Sequence, residues 1–313
     1  MHGLKQILQQ FGDVKINAPL SSLTTFKIGG LADFILEVTE TKKLVAGLNF
    51  LNQEGIEYFI LGGGSNVLLP DEGLHKVVIR IRTNKIFIDG EMVEAEAGAL
   101  FGSVITTAIQ HNLRGLEWAA GLPGTVGGAA RGNAGAMGGD MARVLEKVTV
   151  WRDGEERDLS PDECAYGYRE SIFKTNQDVV LRAKFRLAPG DKKKSLQMMQ
   201  DIVRKRNGHY PPFPSGGSFF KNVVLEKWPA SIEGLPSDFV EQGRVPAGWL
   251  CEQSGLKSFV VGGAMVSKEH GNFLINYKNA SQADVLAVVD TVKERVYNKF
   301  KVELEEEVYI VRS

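Results

Sequence analysis

Three consecutive glycines followed by serine and asparagine, Gly62-Gly63-Gly64-Ser65-Asn66, form the first segment of the chain that could bind an anion. The run Tyr58 to Leu61 before them predicts a buried strand, and residues without a Cβ let successive backbone N–H groups point at one phosphate. The segment lacks the Lys-Ser/Thr of a P-loop and the helix and acidic residue of a dinucleotide fingerprint. Taken alone, it is either a phosphate cradle or a structural turn.

Further glycines are concentrated between residues 121 and 139. They lie in the segments Gly121-Leu122-Pro123-Gly124-Thr125-Val126-Gly127-Gly128-Ala129 and Gly132-Asn133-Ala134-Gly135-Ala136-Met137-Gly138-Gly139. A stretch with so few side chains cannot pack a core, and it predicts flat backbone surface with many unpaired amide donors. Together with the first segment, it favours a large, planar, phosphate-bearing ligand, which is the shape of a nucleotide cofactor.

Helices and strands alternate around the first glycine segment. Thr41 precedes apolar residues at helical spacing, and Val77 to Ile81 predicts a second strand beyond the glycines. A hairpin is predicted from Ile86 to Val93, because Asp89-Gly90 accepts the positive φ angles of a tight turn. A short helix is predicted over residues 103 to 111. Mixed α and β structure with some antiparallel pairing is therefore expected.

The second half of the chain continues this mixture. Strands are predicted over residues 144 to 151 and 179 to 187, with a turn at Asp153-Gly154. A polar stretch near Pro189 precedes a predicted helix near residues 195 to 206. Ser281 is predicted to cap a helix with valines on its apolar side, and Val302 to Val311 predicts a charged strand.

Length and composition narrow the class of protein. The chain has 313 residues, 43% hydrophobic and 24% charged, which suits more than one domain with a substantial core. Its formal net charge is -1, so no basic field holds a polyanion, and nucleic acid is excluded as an expected partner. No run approaches the roughly 18 apolar residues of a membrane span and no secretion signal is visible, so we expect a cytoplasmic protein. The sequence is compatible with a monomer and does not fix the oligomeric state.

Neither a disulfide nor a metal site is expected. Cys164 and Cys251 are far apart without a Cys-x-x-Cys spacing and are predicted to be buried thiols. The histidines never fall at metal-ligand spacing with carboxylates or cysteines; they are His2, His75, His111, His209 and His270.

The order of several motifs resembles that of the UDP-N-acetylenolpyruvoylglucosamine reductase family over nearly the whole chain. The motifs are Thr24-Thr25-Phe26-Lys27-Ile28-Gly29-Gly30, Leu61-Gly62-Gly63-Gly64-Ser65-Asn66, Gly121-Leu122-Pro123-Gly124-Thr125-Val126-Gly127-Gly128, Tyr168-Arg169-Glu170-Ser171-Ile172-Phe173-Lys174, Gly217-Ser218-Phe219-Phe220-Lys221-Asn222, Ala247-Gly248-Trp249-Leu250 and Leu304-Glu305-Glu306-Glu307-Val308. Each motif is modestly specific, but their number and order make chance similarity very improbable.

The resemblance implies an α+β fold with a two-subdomain FAD-binding region of the vanillyl-alcohol-oxidase type and a C-terminal α/β substrate-binding domain. We expect FAD-binding subdomains at residues 1–80 and 81–190, a substrate-binding domain at 191–300, and a C-terminal strand at 301–313. The resemblance also implies FAD as cofactor, NADPH as hydride donor and a UDP-sugar as substrate. The short interval after Leu187 resembles the shorter variety of the family, which lacks an inserted substrate-clamping loop.

Reduction of an enolpyruvyl ether is a conjugate addition of a hydride followed by protonation of the adjacent carbon. It requires a cation for the carboxylate, a donor network for the developing charge, and an acid on the correct face. The resemblance assigns these catalytic roles to Arg169, Ser218 and Glu307, and a guanidinium suits a carboxylate because it presents a planar fork. Strand alternation alone points Glu306 inward instead of Glu307.

The remaining site residues follow from the same motifs. The predicted cofactor-binding residues are Gly62, Gly63, Gly64, Ser65, Asn66, Gly121, Pro123, Gly124, Thr125, Gly127, Gly128, Asn133 and Gly135. The predicted substrate-binding residues are Tyr168, Lys221, Asn222, Arg204 and Asn272, with Tyr210 as a weaker candidate, and His270 is given no role.

Two other functions stay open at this point. Another FAD oxidoreductase of the same fold, such as an alcohol or sugar oxidase, has no use for the set of Arg169, Ser218 and Glu307. A flavin-free protein that binds sugar nucleotides would use the glycine segments only as turns.

Overall fold

The computed structural model describes residues 2–208, 210–229, 231 and 234–312. The α-helices are α1 His2–Leu8, α2 Thr41–Gln53, α3 Phe101–Gln110, α4 Val126–Gly132, α5 Lys192–Asn207, α6 Ser237–Glu241, α7 Ala247–Gln253 and α8 Gln282–Phe300. The strands are β1 Asp13–Pro19, β2 Leu31–Val38, β3 Tyr58–Leu61, β4 Val67–Leu68, β5 Leu74–Ile81, β6 Ile86–Asp89, β7 Met92–Glu96, β8 Leu113–Arg114, β9 Gly135–Ala136, β10 Gly139–Asp140, β11 Leu145–Arg152, β12 Glu155–Leu159, β13 Val179–Arg186, β14 Ala188–Pro189, β15 Ser215–Ser218, β16 Val223–Val224, β17 Arg244–Val245, β18 Val260–Val261, β19 Ala264–Val266, β20 Phe273–Asn276 and β21 Tyr309–Ile310.

The chain divides into two compact units, and each is made of several stretches of sequence. Unit 1 comprises residues 1–18, 32–63 and 74–208, and unit 2 comprises residues 19–31, 64–73 and 209–313. In this division α5 belongs to unit 1. The finer division expected at residues 80, 190 and 300 stays a prediction.

Unit 1 contains two larger sheets. One has the order β1-β2-β5-β3, with β5 parallel to both β2 and β3. The other is antiparallel with the order β12-β11-β13-β7-β6. Buried residues such as Leu48 of α2, Ile79 of β5 and Val104 of α3 share one continuous core. The predicted helix after Thr41, the predicted short helix near 103–111 and the predicted strands on both sides of the first glycine segment are confirmed.

The two Asp-Gly turns of unit 1 differ. Asp153 and Gly154 both have positive φ, +51° and +93°, and they join β11 to β12 as the Asp-Gly signal predicts. In the β6-β7 hairpin, Asp89 pairs with Met92 and is the last residue of its strand, and among the turn residues positive φ falls on Gly90 at +56°. The hairpin is confirmed, but the expectation that Asp89 itself turns the chain is wrong.

Unit 2 is built on an antiparallel sheet of order β15-β20-β19-β18. Helix α8 buries Val285, Val288 and Val292 in the same core as Phe219 and Leu274. Its N-terminus is capped as the sequence predicts, because the Ser281 hydroxyl accepts from the amide of Asp284 and the Asp284 carboxylate accepts from the amide of Ser281.

The C-terminal segment is not the continuous strand that the sequence predicts. Only Tyr309–Ile310 forms a strand, parallel to β4, and Glu306 makes an isolated bridge with Phe220. Val302, Leu304 and Val308 are buried, as alternation predicts. The segment lies against several parts of unit 2 in turn, and this irregular pairing prevents one long ladder.

The described residues contain neither a candidate membrane-spanning helix nor a cluster of side chains placed to hold a metal ion. No helix in this part of the chain combines the length and the apolar character that a bilayer crossing requires. No group of three or more His, Cys, Asp or Glu side chains in this part of the chain is placed to hold a metal ion, and His209 lies outside the described residues.

Candidate active site

The first glycine segment starts where β3 ends, at the carboxyl edge of the parallel strands of unit 1. A Cβ on Gly62 would lie 2.8 Å from the Thr125 hydroxyl, and a Cβ on Gly63 would lie 3.0 Å from the Gly124 Cα. The two glycine-rich segments of unit 1 therefore touch through backbone. Ligands of open α/β sheets bind at this edge, beyond the carboxyl ends of parallel strands.

The backbone N–H groups of Gly62 and Gly63 are available to an anion. Among the hydrogen bonds within the described residues, none is donated by the backbone N–H of Gly62, Gly63 or Gly64. The exposure of Gly62 and Gly63 is intermediate, so their N–H groups are not sealed in the core. Successive open amides of this kind form a concave donor surface that favours phosphate.

Thr125 supplies a second polar group beside these glycines. It precedes α4, its side chain is 5% exposed, and its hydroxyl has no hydrogen-bond partner in the described part of the chain. A buried hydroxyl without a partner is destabilising unless a ligand satisfies it. The backbone N–H groups of Gly62 and Gly63 and the Thr125 hydroxyl thus fit a phosphate-bearing cofactor.

The prediction of many unpaired backbone amides between residues 121 and 139 is wrong in part. Val126 donates its N–H to Ala99 at 3.0 Å and Gly127 donates its N–H to Ala97 at 2.8 Å. Gly127 is a packing residue, because a Cβ there would lie 3.0 Å from the Ala97 Cβ. The structure thus separates glycines whose N–H groups make no internal hydrogen bond, such as Gly62 and Gly63, from glycines that pack against backbone, such as Gly127. Composition alone could not separate them.

The other predicted cofactor residues of unit 1 differ in environment. Gly121, with φ +76°, lies on the surface beside the Arg206 side chain, and Pro123 and Gly128 are also exposed. Asn133 is buried, and both ends of its amide bind backbone, donating to Gly167 at 2.8 Å and accepting from Ala142 at 3.1 Å.

Arg169 stands on a strained tight turn of unit 1. Gly167 and Glu170 pair with each other, and Arg169 between them has φ +58°. A non-glycine residue in this region costs about 1 kcal/mol, and such strain is concentrated at functional sites. The guanidinium donates to the Gly135 carbonyl at 2.7 Å and lies 5.3 Å from the centre of the Tyr168 ring. Lys174 donates to the Arg169 carbonyl.

Ser218 lies at the end of β15 in unit 2, paired with Phe273 of β20. It is half-buried, and its hydroxyl makes no hydrogen bond to another described residue. Two residues before it, Gly216 packs tightly, because a Cβ there would lie 3.1 Å from Phe26 and 3.2 Å from Val308.

Glu307 is held beside Ser218 through the intervening Phe219. Its amide donates to the Phe219 carbonyl at 2.7 Å, and its own carbonyl accepts from the Asn66 side chain at 3.1 Å. Glu306 instead forms an ion pair with Lys293 at 2.9 Å. Unit 2 therefore contains Ser218, Glu307 and the end of the first glycine segment, whereas Arg169 belongs to unit 1.

Lys221 and Asn222 follow the Ser218 strand and have partners within unit 2. Lys221 contacts the Glu305 carboxylate at 3.2 Å, and the Asn222 side chain accepts from the amide of Ala247 at 3.2 Å. Hydrogen bonds from Lys227 and then Lys221 hold the pKa of Glu305 below its ordinary value, against the opposing effect of burial.

Asn272 is a buried structural residue. Its amide donates to the Phe220 carbonyl at 2.8 Å and accepts from the Phe220 N–H at 2.9 Å. The His270 ring accepts a hydrogen bond from the backbone N–H of Asn272 at 3.1 Å, and this structural contact explains the histidine without a catalytic role. Tyr210 stacks against Phe273, with ring centres 5.0 Å apart.

Arg204 is an exposed residue of α5. It is in unit 1, its side chain is 77% exposed, and it pairs with Asp201 of the same helix at 3.3 Å.

Thr25 was not among the predicted site residues. It donates its amide to the Gly64 carbonyl at 3.0 Å and its hydroxyl to the Ser215 carbonyl at 2.7 Å, all within unit 2. The only signal in the sequence was its membership of the motif Thr24 to Gly30.

The chain matches known families along most of its length. A model described as UDP-N-acetylenolpyruvoylglucosamine reductase, C-terminal domain, matches residues 209–311, and a model described as FAD binding domain matches residues 32–160. These matches agree with a two-subdomain FAD-binding region of the vanillyl-alcohol-oxidase type followed by a separate C-terminal domain.

Whole-chain relatives agree with the family models. The UDP-N-acetylenolpyruvoylglucosamine reductase of Clostridium novyi is 40% identical over 302 residues, which cover 96% of this chain and 92% of the relative. That of Carboxydothermus hydrogenoformans is 38% identical over 300 residues, which cover 94% and 93%. The crystal structure of the Thermus caldophilus reductase matches with a TM-score of 0.75 and 32% identity, covering 96% of this chain and 98% of that one. The chain is therefore an FAD-dependent oxidoreductase and belongs to the UDP-N-acetylenolpyruvoylglucosamine reductase family.

Proposed function

We propose that this protein uses NADPH to reduce the enolpyruvyl group of UDP-N-acetylglucosamine enolpyruvate, which gives UDP-N-acetylmuramate for peptidoglycan. The relatives at 38% and 40% identity carry the name of this reductase. The observation that carries the proposal is in unit 2, where Phe219 joins the backbone of Ser218 to Glu307 and Asn66 of the first glycine segment binds the Glu307 carbonyl. We further propose that the reaction takes place in the cytoplasm.

FAD, when bound, would supply the two-electron chemistry, which is hydride transfer from NADPH to the terminal carbon of the enolpyruvyl group. The open amides of Gly62 and Gly63 and the buried Thr125 hydroxyl are the groups of unit 1 best suited to hold its phosphates. In total, one hydride from NADPH and one proton from solvent are added across the carbon–carbon double bond.

Arg169 is proposed to hold the substrate carboxylate. A guanidinium binds carboxylate through two parallel hydrogen bonds and stays charged at any working pH. Negative charge moves toward this carboxylate when the hydride adds, so the same contact strengthens as the reaction proceeds. The Gly135 carbonyl and the Tyr168 ring support the side chain, and the strained turn supports its backbone.

Ser218 is proposed to protonate the carbon next to the carboxylate. A hydroxyl is a weak acid, but it meets a strongly basic, enolate-like carbon and needs to give up one proton per turnover. The hydroxyl of Ser218 is not engaged by another described residue, so it is available for this transfer. Solvent then returns the proton to the serine.

Glu307 is proposed to stabilise the charge distribution and protonation state near the enolate. Its backbone is held next to Phe219, whereas Glu306 is already neutralised by Lys293. This difference favours Glu307 over Glu306, against the expectation from strand alternation.

The proposed substrate-binding residues differ in their support. Tyr168 adjoins Arg169, and Lys221 and Asn222 follow the Ser218 strand, so these three suit direct contact with the UDP-sugar. Asn272 suits an indirect role, because its amide is committed to Phe220. Arg204 has the least support, because it is exposed and paired with Asp201.

An anaerobic two-step experiment tests the function. Stoichiometric NADPH should bleach the bound flavin, and UDP-N-acetylglucosamine enolpyruvate should restore its colour. NADPH should still bleach the flavin of the Arg169→Lys variant. Its reoxidation by the sugar nucleotide should be slower by about 100-fold, because an ammonium cannot form two parallel hydrogen bonds to the substrate carboxylate. If the sugar nucleotide has no effect and the flavin is reoxidised only when oxygen is then admitted, the protein is instead an oxidase of the same fold.

A further inference from the structure

The motif Thr24 to Gly30 contributes no residue to the proposed chemistry, yet Thr25 contacts two segments that do. We propose that Thr25 is a positioning residue for the reduction. Its hydroxyl holds the strand of Ser218 in register with the end of the first glycine segment, so that the Ser218 hydroxyl is positioned for proton transfer. This inference rests on the proposed function.

Thr25 binds the two segments through different atoms. Its backbone N–H donates to the Gly64 carbonyl at 3.0 Å, which fixes it to the first glycine segment. Its hydroxyl donates to the Ser215 carbonyl at 2.7 Å, while the Gly64 and Ser65 carbonyls lie farther from it, at 3.4 Å and 3.5 Å. A hydroxyl has one proton, so the short contact to Ser215 is its hydrogen bond.

The strand that Thr25 holds is irregular. Ser215 pairs with Ile275 and Ser218 pairs with Phe273, so three steps along β15 match two steps along β20. The extra residue is a β-bulge in the Gly216-Gly217 pair, and Gly217 has φ +84°. Two adjacent glycines leave the backbone many alternative conformations, so an outside contact is needed to select one of them.

Neighbours of Thr25 and Glu307 fix the same bulge. The backbone of Gly216 packs between the Phe26 ring and a methyl group of Val308, where a Cβ would come within 3.1 Å and 3.2 Å. Thr25 precedes Phe26 and Glu307 precedes Val308. The position of Ser218 therefore depends on both segments. The Thr25 hydroxyl is one of the polar contacts at the start of the strand, next to the hydrogen bond from the Asn276 amide to the Pro214 carbonyl at 2.8 Å.

Loss of this contact should affect catalysis more than folding. Thr25 is exposed, and a solvent-accessible hydrogen bond contributes little to the free energy of unfolding. A displacement of the acid by a fraction of an ångström, in contrast, can slow a proton transfer by an order of magnitude or more.

The test compares hydroxyl-free and hydroxyl-bearing variants of the FAD-loaded protein. Thr25→Val keeps the shape and removes the donor, Thr25→Ser restores the donor, and Thr25→Ala is a second variant without it. Thr291→Val is the matched control, because Thr291 donates to the Ala287 carbonyl at 3.0 Å within α8 of the same unit. Stopped-flow absorbance follows reoxidation by the enolpyruvyl sugar nucleotide in H2O and D2O. Hydrogen–deuterium exchange follows the peptide that covers residues 215 to 219.

Thr25→Val and Thr25→Ala should lower the rate of reoxidation roughly tenfold and raise its solvent isotope effect. They should also speed exchange in the peptide 215–219, while FAD content, bleaching by NADPH and the melting temperature stay near those of Thr291→Val. Thr25→Ser should recover most of the rate. Normal reoxidation and normal exchange in both hydroxyl-free variants would overturn the inference. If the unmodified protein itself is not reoxidised by the sugar nucleotide, the proposed function fails instead.

Discussion

The amide nitrogen of Glu307 lies 2.7 Å from the carbonyl oxygen of Phe219, the residue that follows Ser218. Ser218 and Glu307 are far apart in sequence, but this hydrogen bond fixes the backbone of Glu307 to the residue next to Ser218. The neighbouring Glu306 turns toward Lys293 on α8, 2.9 Å away. The two consecutive glutamates therefore have separate environments, and this difference can be measured.

Glu307→Gln should slow reoxidation of the reduced flavin by the enolpyruvyl sugar by about 100-fold or more, the usual size of a lost general acid–base or charge-stabilising group. Glu306→Gln should keep the rate within about threefold. Glu306→Gln should lower the free energy of unfolding by less than about 1 kcal/mol, because a partly exposed ion pair contributes little. Single-turnover absorbance and urea unfolding measure both effects. The reverse order of the two rates would reassign the role to Glu306.

Thr125→Val should weaken FAD binding without weakening the fold. The hydroxyl has no partner among the described residues, so a methyl group in its place should leave the free energy of unfolding of the apoprotein unchanged or raise it by up to about 1 kcal/mol. The dissociation constant for FAD should rise about tenfold, because one hydrogen bond to the cofactor is lost.

Thr125→Ser is the control for this change. It keeps the hydroxyl, so FAD affinity should stay near that of the unmodified protein, and the lost methyl group should cost about 1 kcal/mol. Flavin fluorescence titration of the apoprotein and its thermal unfolding give the two readings. Unchanged FAD affinity in Thr125→Val would remove Thr125 from the cofactor site.

Asn272→Ala should destabilise unit 2. The substitution leaves the buried N–H and carbonyl of Phe220 without their partners, and each unsatisfied group costs about 1–3 kcal/mol. We expect a loss of about 2–5 kcal/mol in urea unfolding at saturating FAD. Asn298→Ala, on the exposed side of α8, should change the free energy of unfolding by less than about 0.5 kcal/mol. A normal unfolding curve with a raised KM for the sugar nucleotide would make Asn272 a substrate contact instead.

Neither cysteine should react while the protein is folded. Both thiols are buried, and burial raises the pKa of Cys164 to about 11 and that of Cys251 to about 12. At pH 8 a thiol reagent such as DTNB should label neither thiol in the native protein, and both after unfolding in guanidinium chloride.

The same pKa shifts predict a loss of stability in alkali. The unfolded chain releases its thiol protons at a pH near 8.5, about two or more units below the folded protein. Stability is therefore fully present below that pH and falls as the pH rises toward 11. Unfolding curves from pH 7 to pH 10 measure how the free energy of unfolding falls with pH. Replacement of both cysteines by alanine should make this fall less steep. Labelling of either thiol in the native state would contradict the burial.

Local features were determined by the sequence alone. Helix α8 follows from its capping box and its valine spacing, and the turn at Asp153-Gly154 follows from residues that tolerate positive φ. The first glycine segment was predicted as a candidate phosphate cradle or a structural turn, because a run of residues without a Cβ is a local property of the sequence. The motif order gave the family, since that order is a property of the chain and not of its packing.

Only the tertiary structure decided which polar groups remain available. The side-chain amides of Asn133 and Asn272 are committed at both ends to backbone groups, and their residue type does not reveal this. The C-terminal segment shows the same limit, because Tyr309 and Ile310 pair with β4 and not with a sequence neighbour. Period-two patterning describes a strand with one regular partner, whereas this segment pairs with Phe220 at Glu306 and with β4 only at Tyr309 and Ile310. Hydrogen-bond partners distant in sequence leave no mark in local pattern, and these partners distinguish Glu307 from Glu306.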